Sequence, residues 1–124
     1  MQIPTRIKLN KNSNTLELGY ADGQEFSLPA ELLRVHSPSA EVQGHGNPVL
    51  QYGKINVAIT DVQAVGNYAL KLTFDDGHDT GLFTWSYLQQ LATQQEVIWQ
   101  KYLDKLRAAG QSRDPSESVV RLML

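Results

Sequence analysis

The sequence predicts a single α+β domain, in which a small antiparallel β-sheet built from hairpins carries a short middle helix and C-terminal helices packed on it. Apolar residues alternate with polar ones from Ile7 to Leu28 and again from Ile55 to Phe74, which is the period of β-strands. After Thr84 apolar residues recur every three or four positions, the period of an α-helix. The 124 residues are about one domain long.

The first third of the chain is a predicted β-meander. Residues 6–9 and 16–20 alternate on either side of an Asn12–Asn14 turn. Asp22-Gly23 tolerates a positive φ, so residues 24–28 return as a third strand.

A short helix over residues 30–35 is predicted next. Pro29 suits the first helical position, where its missing N–H costs nothing, and Pro38 ends the helix. Residues 37–54 contain further Pro and Gly with little periodicity, which predicts a long surface loop.

The second β region is a predicted hairpin. Residues 55–59 alternate, and residues 62–65 run to Gly66-Asn67, a two-residue turn signal. Residues 68–74 pair back across that turn, and Asp75–Gly77 forms a further turn.

Two helices are predicted near the C-terminus. Leu88 and Leu91 stack on one face, and Thr93–Glu96 reads as a capping box that restarts the chain. The second helix covers about residues 94–109 and stops at Gly110.

The predicted domain spans residues 1–110, followed by a flexible C-terminal tail over residues 111–124. Residues 111–117 are polar and include Pro115, whereas Val119–Leu124 is mostly apolar. This last segment could add a strand to the domain, dock into a partner or fray, and the sequence leaves the three open.

Charge and composition exclude several classes. Eleven Lys and Arg against thirteen Asp and Glu give a net charge of −2, whereas nucleic-acid binders usually carry a basic face, so no nucleic-acid partner is expected. No apolar run approaches the roughly 18 residues of a membrane span, and no secretory leader is evident, so we expect a cytoplasmic protein without membrane contact. The chain has no cysteine, which excludes thiolate nucleophiles and every metal site built on thiolates.

The search for catalytic motifs finds none. The sequence lacks HExxH, a P-loop, GxGxxG, GxSxG and the His-x-Asp or His-x-Glu of a facial-triad iron site. A Ser–His pair could still assemble from distant residues, but we expect no enzyme.

The densest polar cluster is Asp75–Asp79, which holds three carboxylates and one imidazole. Its His78 is the first candidate metal ligand, with His36, His45 and Asp76 as weaker ones. Asp and Gly are also the residues that a solvated tight turn needs, and that interpretation is favoured. His36 and His45 would share a metal only if the loop between them folded back.

Trp85 and Trp99 lie in the amphipathic C-terminal region. Both are expected to pack in the core or at its rim rather than to form a ligand cage.

Two sequence blocks resemble the domain found at the N-terminus of gamma-butyrobetaine hydroxylase. The first is Leu32–Val42, LLRVHSPSAEV, and the second is Asp76–Leu88, DGHDTGLFTWSYL. The chain is similar above all to the bacterial stand-alone members of that family, long catalogued as DUF971, over about residues 3–109.

The resemblance implies a metal-site scaffold without most of its ligands. In the hydroxylases this domain precedes an iron and 2-oxoglutarate dependent catalytic domain and binds zinc through three cysteines and one histidine. The resemblance places the cysteine positions on Ser37, Ser39 and Val42 and the histidine on His78. It therefore predicts that the Ser37–Val42 segment lies against the His78 turn, that no zinc of this type binds and that hydroxylase activity does not transfer.

The expected function is a non-catalytic accessory module that binds a protein partner and needs no cofactor. The predicted interaction surface comprises Ser37, Pro38, Ser39, Glu41, His78 and Trp85. Similar domains are appended to ATPases that carry iron–sulfur clusters. The alternative is therefore a metal-binding accessory protein that holds zinc or iron with histidine and carboxylate ligands around His78.

Overall fold

Two three-stranded antiparallel sheets form the framework of the protein. The computed structural model describes residues 2–116, apart from the side chain of His45. The first sheet has the order β1-β2-β3, with β1 Arg6–Asn10, β2 Thr15–Gly19 and β3 Glu25–Pro29. The second has the order β4-β5-β6, with β4 Ile59–Val65, β5 Ala69–Phe74 and β6 Leu82–Thr84. The α+β class with antiparallel hairpins is confirmed.

Four α-helices connect and cover the sheets: α1 Ala30–Val35, α2 Ala40–Gln43, α3 Trp85–Thr93 and α4 Gln95–Ala109. A 3-10 turn, Gly44–Gly46, follows α2. The predicted bounds of α1 and the predicted split between α3 and α4 are confirmed. Gly110 ends α4 at a φ of 66°, a left-handed conformation that glycine adopts without steric cost. In the described chain no helix is long and apolar enough to cross a membrane.

The predicted long loop over residues 37–54 is wrong in part, because it contains α2. The Ser39 hydroxyl caps this helix by accepting a hydrogen bond from the Val42 amide. A single helical turn is too short to produce a periodic pattern, so the sequence does not show it.

Two further details differ from the predictions. The alternation at residues 55–58 does not form a strand; instead the Val57 amide closes a turn onto the Lys54 carbonyl. The predicted capping box is also wrong, since Gln94 is the N-cap of α4 without a side-chain hydrogen bond and Thr93 donates its hydroxyl to the Gln89 carbonyl.

The two sheets are joined at the turn between β1 and β2. Asn14 has a φ of 57°, and its amide nitrogen donates to the Val57 carbonyl at 2.6 Å. Its amide oxygen accepts from the Ile59 amide at 3.3 Å. One turn residue of the first sheet therefore fixes the start of β4.

The main core lies between the sheets, α1 and α3. It includes Leu16, Leu18, Leu28, Leu32, Leu33, Leu72, Phe74, Phe83, Leu88 and Leu91, all at most 1% exposed. A second cluster joins Tyr102 and Leu106 of α4 to Val35 at the end of α1. The buried residues of α4 thus pack against the end of α1.

The predicted flexible tail is wrong for residues 111–116, which return to the domain. The Ser112 carbonyl accepts from the Gly53 amide at 2.9 Å, and the Arg113 carbonyl accepts from the Ile55 amide at 3.0 Å. The Arg113 guanidinium also forms a two-pronged ion pair with Glu31. The folded unit therefore continues past residue 110, whereas the predicted alternatives for Val119–Leu124 fall outside the described residues.

Candidate functional site

The segment after α1 and the turn before β6 meet at Ser37 and His78. Ser37 is fully buried, and its Oγ lies 2.8 Å from His78 Nε2. The His78 side chain is 8% exposed and packs near the ring of Phe74. The prediction that the Ser37–Val42 segment lies against the His78 turn is confirmed.

The positions at which the resemblance places metal ligands are hydrogen-bonded to one another. Ser37 Oγ also accepts from the Ser39 amide at 3.3 Å, and the Ser37 carbonyl accepts from Gln43 Nε2 at 3.0 Å. The Ser39 hydroxyl is occupied in capping α2 at Val42. Hydroxyls already hydrogen-bonded and an isopropyl group supply no thiolate, so these residues do not fit a zinc ion.

Of the residues predicted for the weaker metal site, Asp76 and His78 lie in the same turn, whereas the side chain of His45 lies outside the described part of the structure. Among the side chains that the structure describes, which leave out His45, no three His, Asp or Glu residues converge as metal ligands. His36 is turned to another environment, where its Nδ1 lies 2.8 Å from the Leu32 carbonyl and its ring packs edge-on against Tyr102.

Glu41 and Thr80 lie on the exposed side of the Ser37–His78 contact, and these four residues are called the cluster below. Glu41 Oε2 accepts a hydrogen bond from the Thr80 hydroxyl and lies 3.9 Å from His78 Nδ1. The hydrogen bond from Thr80 lowers the pKa of the Glu41 carboxyl, while burial lowers the pKa of the His78 imidazole. At neutral pH the cluster therefore holds a carboxylate, 62% exposed, beside a neutral imidazole.

Asp76 is the anionic anchor of the same turn. Its Oδ2 accepts from Arg34 Nε at 2.8 Å and from Lys54 Nζ at 2.6 Å, and its Oδ1 accepts from the His78 amide at 3.1 Å. Burial alone would raise the pKa of Asp76, but these hydrogen bonds outweigh it and lower the pKa to about 2. Its carboxylate thus binds two cationic side chains and one backbone amide of the turn.

We expect part of the free energy of unfolding to depend on the ionised Asp76 carboxylate and to be lost in acid. Its carboxyl is ionised in both states above the unfolded pKa of 3.8, so the stabilisation is complete there. It is lost as the pH falls towards 2, and amounts to about 2 kcal/mol from a pKa difference of nearly two units. Urea unfolding of wild type and Asp76→Asn between pH 2 and pH 6 measures this part.

Asp76→Asn should remove the acid-sensitive part and destabilise the protein at pH 6, because Arg34 keeps its charge with a side chain only 9% exposed. Asp61→Asn, at an exposed position of β4, is the matched control. Equal pH profiles for wild type and Asp76→Asn would contradict the role assigned to Asp76.

The predicted interaction residues differ in accessibility. Glu41 is exposed and Pro38 half-buried, whereas Ser37 and Ser39 are buried. Including Trp85 in that surface is wrong, because it belongs to the main core and donates its indole N–H to the Asn67 carbonyl at 2.6 Å. The three-residue strand β6, which the sequence did not predict, ends at Thr84 and turns Trp85 inward.

The sequence analysis missed three residues that contact Asp76 or Glu41, namely Arg34, Lys54 and Thr80. The signal for two of them was present, since Arg34 ends the LLR of the first block and Thr80 follows the DGH of the second. No local pattern marks Lys54, which reaches Asp76 across 22 positions.

Comparison with known proteins places the fold among solved structures. Residues 7–89 match the family model described as gamma-butyrobetaine hydroxylase-like, N-terminal. Two NMR solution structures are similar: one at 64% identity and a TM-score of 0.85, covering 100% of this chain and 99% of its own, the other at 53% and 0.80, covering 96% and 90%.

A crystal structure at 1.93 Å is also similar, with 40% identity and a TM-score of 0.61, and it covers 71% of this chain and 90% of its own. It is of a protein of unknown function in the DUF971 family from Acidithiobacillus ferrooxidans. No curated protein sequence matches the chain.

Proposed function

Because the chain belongs to the gamma-butyrobetaine hydroxylase-like N-terminal family, which includes the DUF971 proteins, we propose that it is a non-catalytic accessory module that recognises a protein partner. The recognising surface is the polar face, defined as Pro38, Glu41, Asp79 and Thr80. It surrounds the Ser37–His78 contact, which joins two segments 41 positions apart.

The observation that carries the proposal is that the Ser37–His78 pair is inaccessible to a substrate. A hydroxyl 2.8 Å from an imidazole is the geometry of a nucleophile and its base, but a nucleophile must also reach a substrate. Ser37 is fully buried, and neither Ser37 nor His78 lines the two grooves that border α4 in the described chain. The pair therefore acts as a structural link.

The link gives the polar face a fixed shape. A buried network whose members are all hydrogen-bonded specifies one arrangement of the segments it joins. Outside it, Glu41 and Asp79 present side chains 62% and 49% exposed. Exposed apolar residues follow along the chain at Val49, Tyr52 and Ile55. Rigid polar groups beside apolar side chains are typical of protein interfaces.

Affinity capture from cell extract tests the proposal with charge reversals at exposed positions. Glu41→Arg/Asp79→Arg should lose partners that the wild-type protein retains, since reversed charges at an interface repel the partner. The control is Asp22→Arg/Asp61→Arg, two exposed carboxylates in the β2–β3 turn and on β4. Melting temperatures establish that both variants fold. Identical partners for the wild-type and Glu41→Arg/Asp79→Arg proteins would reject the polar face.

A further inference from the structure

A second feature, the α1–α4 groove, lies beside the polar face and has a volume of about 460 Å³. Buried and half-buried apolar residues Val35, Leu50 and Ile98 line it, together with the exposed Val49, Lys101 and Lys105. Gln43 also lines the groove and donates a hydrogen bond to the Ser37 carbonyl. This residue therefore connects the groove to the segment that carries the Ser37–His78 contact.

Hydrogen bonds to the backbone fix the shape of the groove. Tyr87 on α3 donates its hydroxyl to the His36 carbonyl, and Tyr102 on α4 donates to the Gln51 carbonyl at 2.7 Å. The Val49 amide donates to the Val42 carbonyl at 2.7 Å. A preformed groove spares a ligand the entropic cost of ordering it.

The charge of the groove is opposite to that of the chain. The protein carries a net charge of −2, yet the groove is lined by Lys101 and Lys105 and by no carboxylate. Neither lysine forms an ion pair within the described chain. Two exposed ammonium groups beside an apolar surface favour a ligand that is both acidic and apolar.

His36 adds a neutral imidazole to the groove wall. A carbonyl only accepts, so the contact with Leu32 assigns the proton to Nδ1 and leaves Nε2 as an acceptor. Burial lowers the pKa of His36, and Lys105 adds to this, which keeps the ring neutral at pH 7. Since His36 lines the groove and is neutral, it adds no second charge to that of the two lysines.

We propose that the α1–α4 groove binds an extended acidic segment of a partner protein, a refinement that rests on the proposed function. Lys101 and Lys105 are four positions apart on one helix, about 6 Å along its axis. Carboxylates at positions i and i+2 of an extended chain lie about 6.6 Å apart on one face and match this spacing. An apolar side chain two positions further on the same face enters the groove.

Selection from a random 12-residue peptide library displayed on phage tests this. The enriched peptides should carry Asp or Glu at i and i+2 with a neighbouring apolar residue. Binding of the best synthetic peptide should weaken about tenfold or more in Lys101→Glu/Lys105→Glu and also at raised salt. The matched control is Lys8→Glu/Lys11→Glu, at exposed positions on and after β1. Amide shifts in NMR spectra should change at Val49, Ile98 and Lys101.

Several results would overturn the groove proposal. These are peptides without acidic enrichment, equal binding by Lys101→Glu/Lys105→Glu, and shift changes confined to other surfaces. A wild-type dimer that Lys101→Glu/Lys105→Glu dissociates would assign the groove to a second copy. Binding that appears only after removal of residues 117–124 would assign it to the chain's own terminus.

Affinity capture separates this proposal from the broader one. Partners lost with Glu41→Arg/Asp79→Arg but kept with Lys101→Glu/Lys105→Glu would reject the groove and leave the polar face standing. Partners lost with both variants support both, and partners lost with neither reject both.

Discussion

Replacing Arg113 with alanine is expected to lower the free energy of unfolding by about 3 kcal/mol, because it leaves the buried Glu31 carboxylate without its partner. The guanidinium holds that carboxylate with Nη2 at 2.7 Å and Nε at 2.9 Å and lies 5.1 Å from the ring centre of Trp99. The estimate is the low end of the range for buried pairs, since Arg113 is 38% exposed and water reaches its side of the pair. Urea unfolding at pH 7 measures the change.

The control is Arg107→Ala. Arg107 is 78% exposed and lies 3.6 Å from Asp104, so its loss should cost less than about 0.5 kcal/mol. Glu31→Gln/Arg113→Ala should recover part of the loss, because it leaves no unpaired charge. Truncation after Gly110 should cost at least as much as Arg113→Ala, since it also removes the backbone hydrogen bonds to Gly53 and Ile55. An unchanged stability of Arg113→Ala would contradict the extension of the domain to residue 116.

Gly81→Ala is expected to lower the free energy of unfolding by at least about 2 kcal/mol through overpacking. A Cβ at Gly81 would overlap Ser37 Oγ and would lie 3.2 Å from Pro38 Cδ. Ser37 cannot move away without breaking its hydrogen bond to His78. Thermal unfolding followed by circular dichroism measures the loss.

A double-mutant cycle identifies the cause. Ser37→Ala removes the crowding oxygen, so Gly81→Ala should cost less in that background than in wild type. Gly19→Ala is the control, because the nearest atoms there belong to the flexible side chain of Arg6. Equal costs of Gly81→Ala in the two backgrounds would show that the Ser37 hydroxyl is not what the new Cβ meets.

Local sequence pattern predicted much of the secondary structure. The meander β1 to β3, the helix α1 and the hairpin of β4 and β5 each depend on periodicity or turn residues within a few positions. The sequence did not predict α2 and β6, because elements of four and three residues are too short to repeat their periods.

The sequence predicted which positions form the candidate site, but not how their side chains interact. The family resemblance aligned Ser37, Ser39, Val42 and His78. In the structure Ser37 bonds to His78, the Ser39 amide donates to the Ser37 hydroxyl, and the Val42 amide donates to the Ser39 hydroxyl. Residue types alone did not show which polar side chains stay exposed. Ser37 and Ser39 are polar yet buried, because each has hydrogen-bond partners inside the fold.

By itself the sequence determined the α+β class, the family resemblance and the lack of any thiolate ligand. The tertiary structure alone decided that Ser37 bonds to His78 41 positions away, that Glu31 pairs with Arg113 82 positions away, and that Lys101 and Lys105 border a groove. The reason is physical: periodicity and turn chemistry act between near neighbours, whereas these contacts form only when packing of the core brings distant segments together.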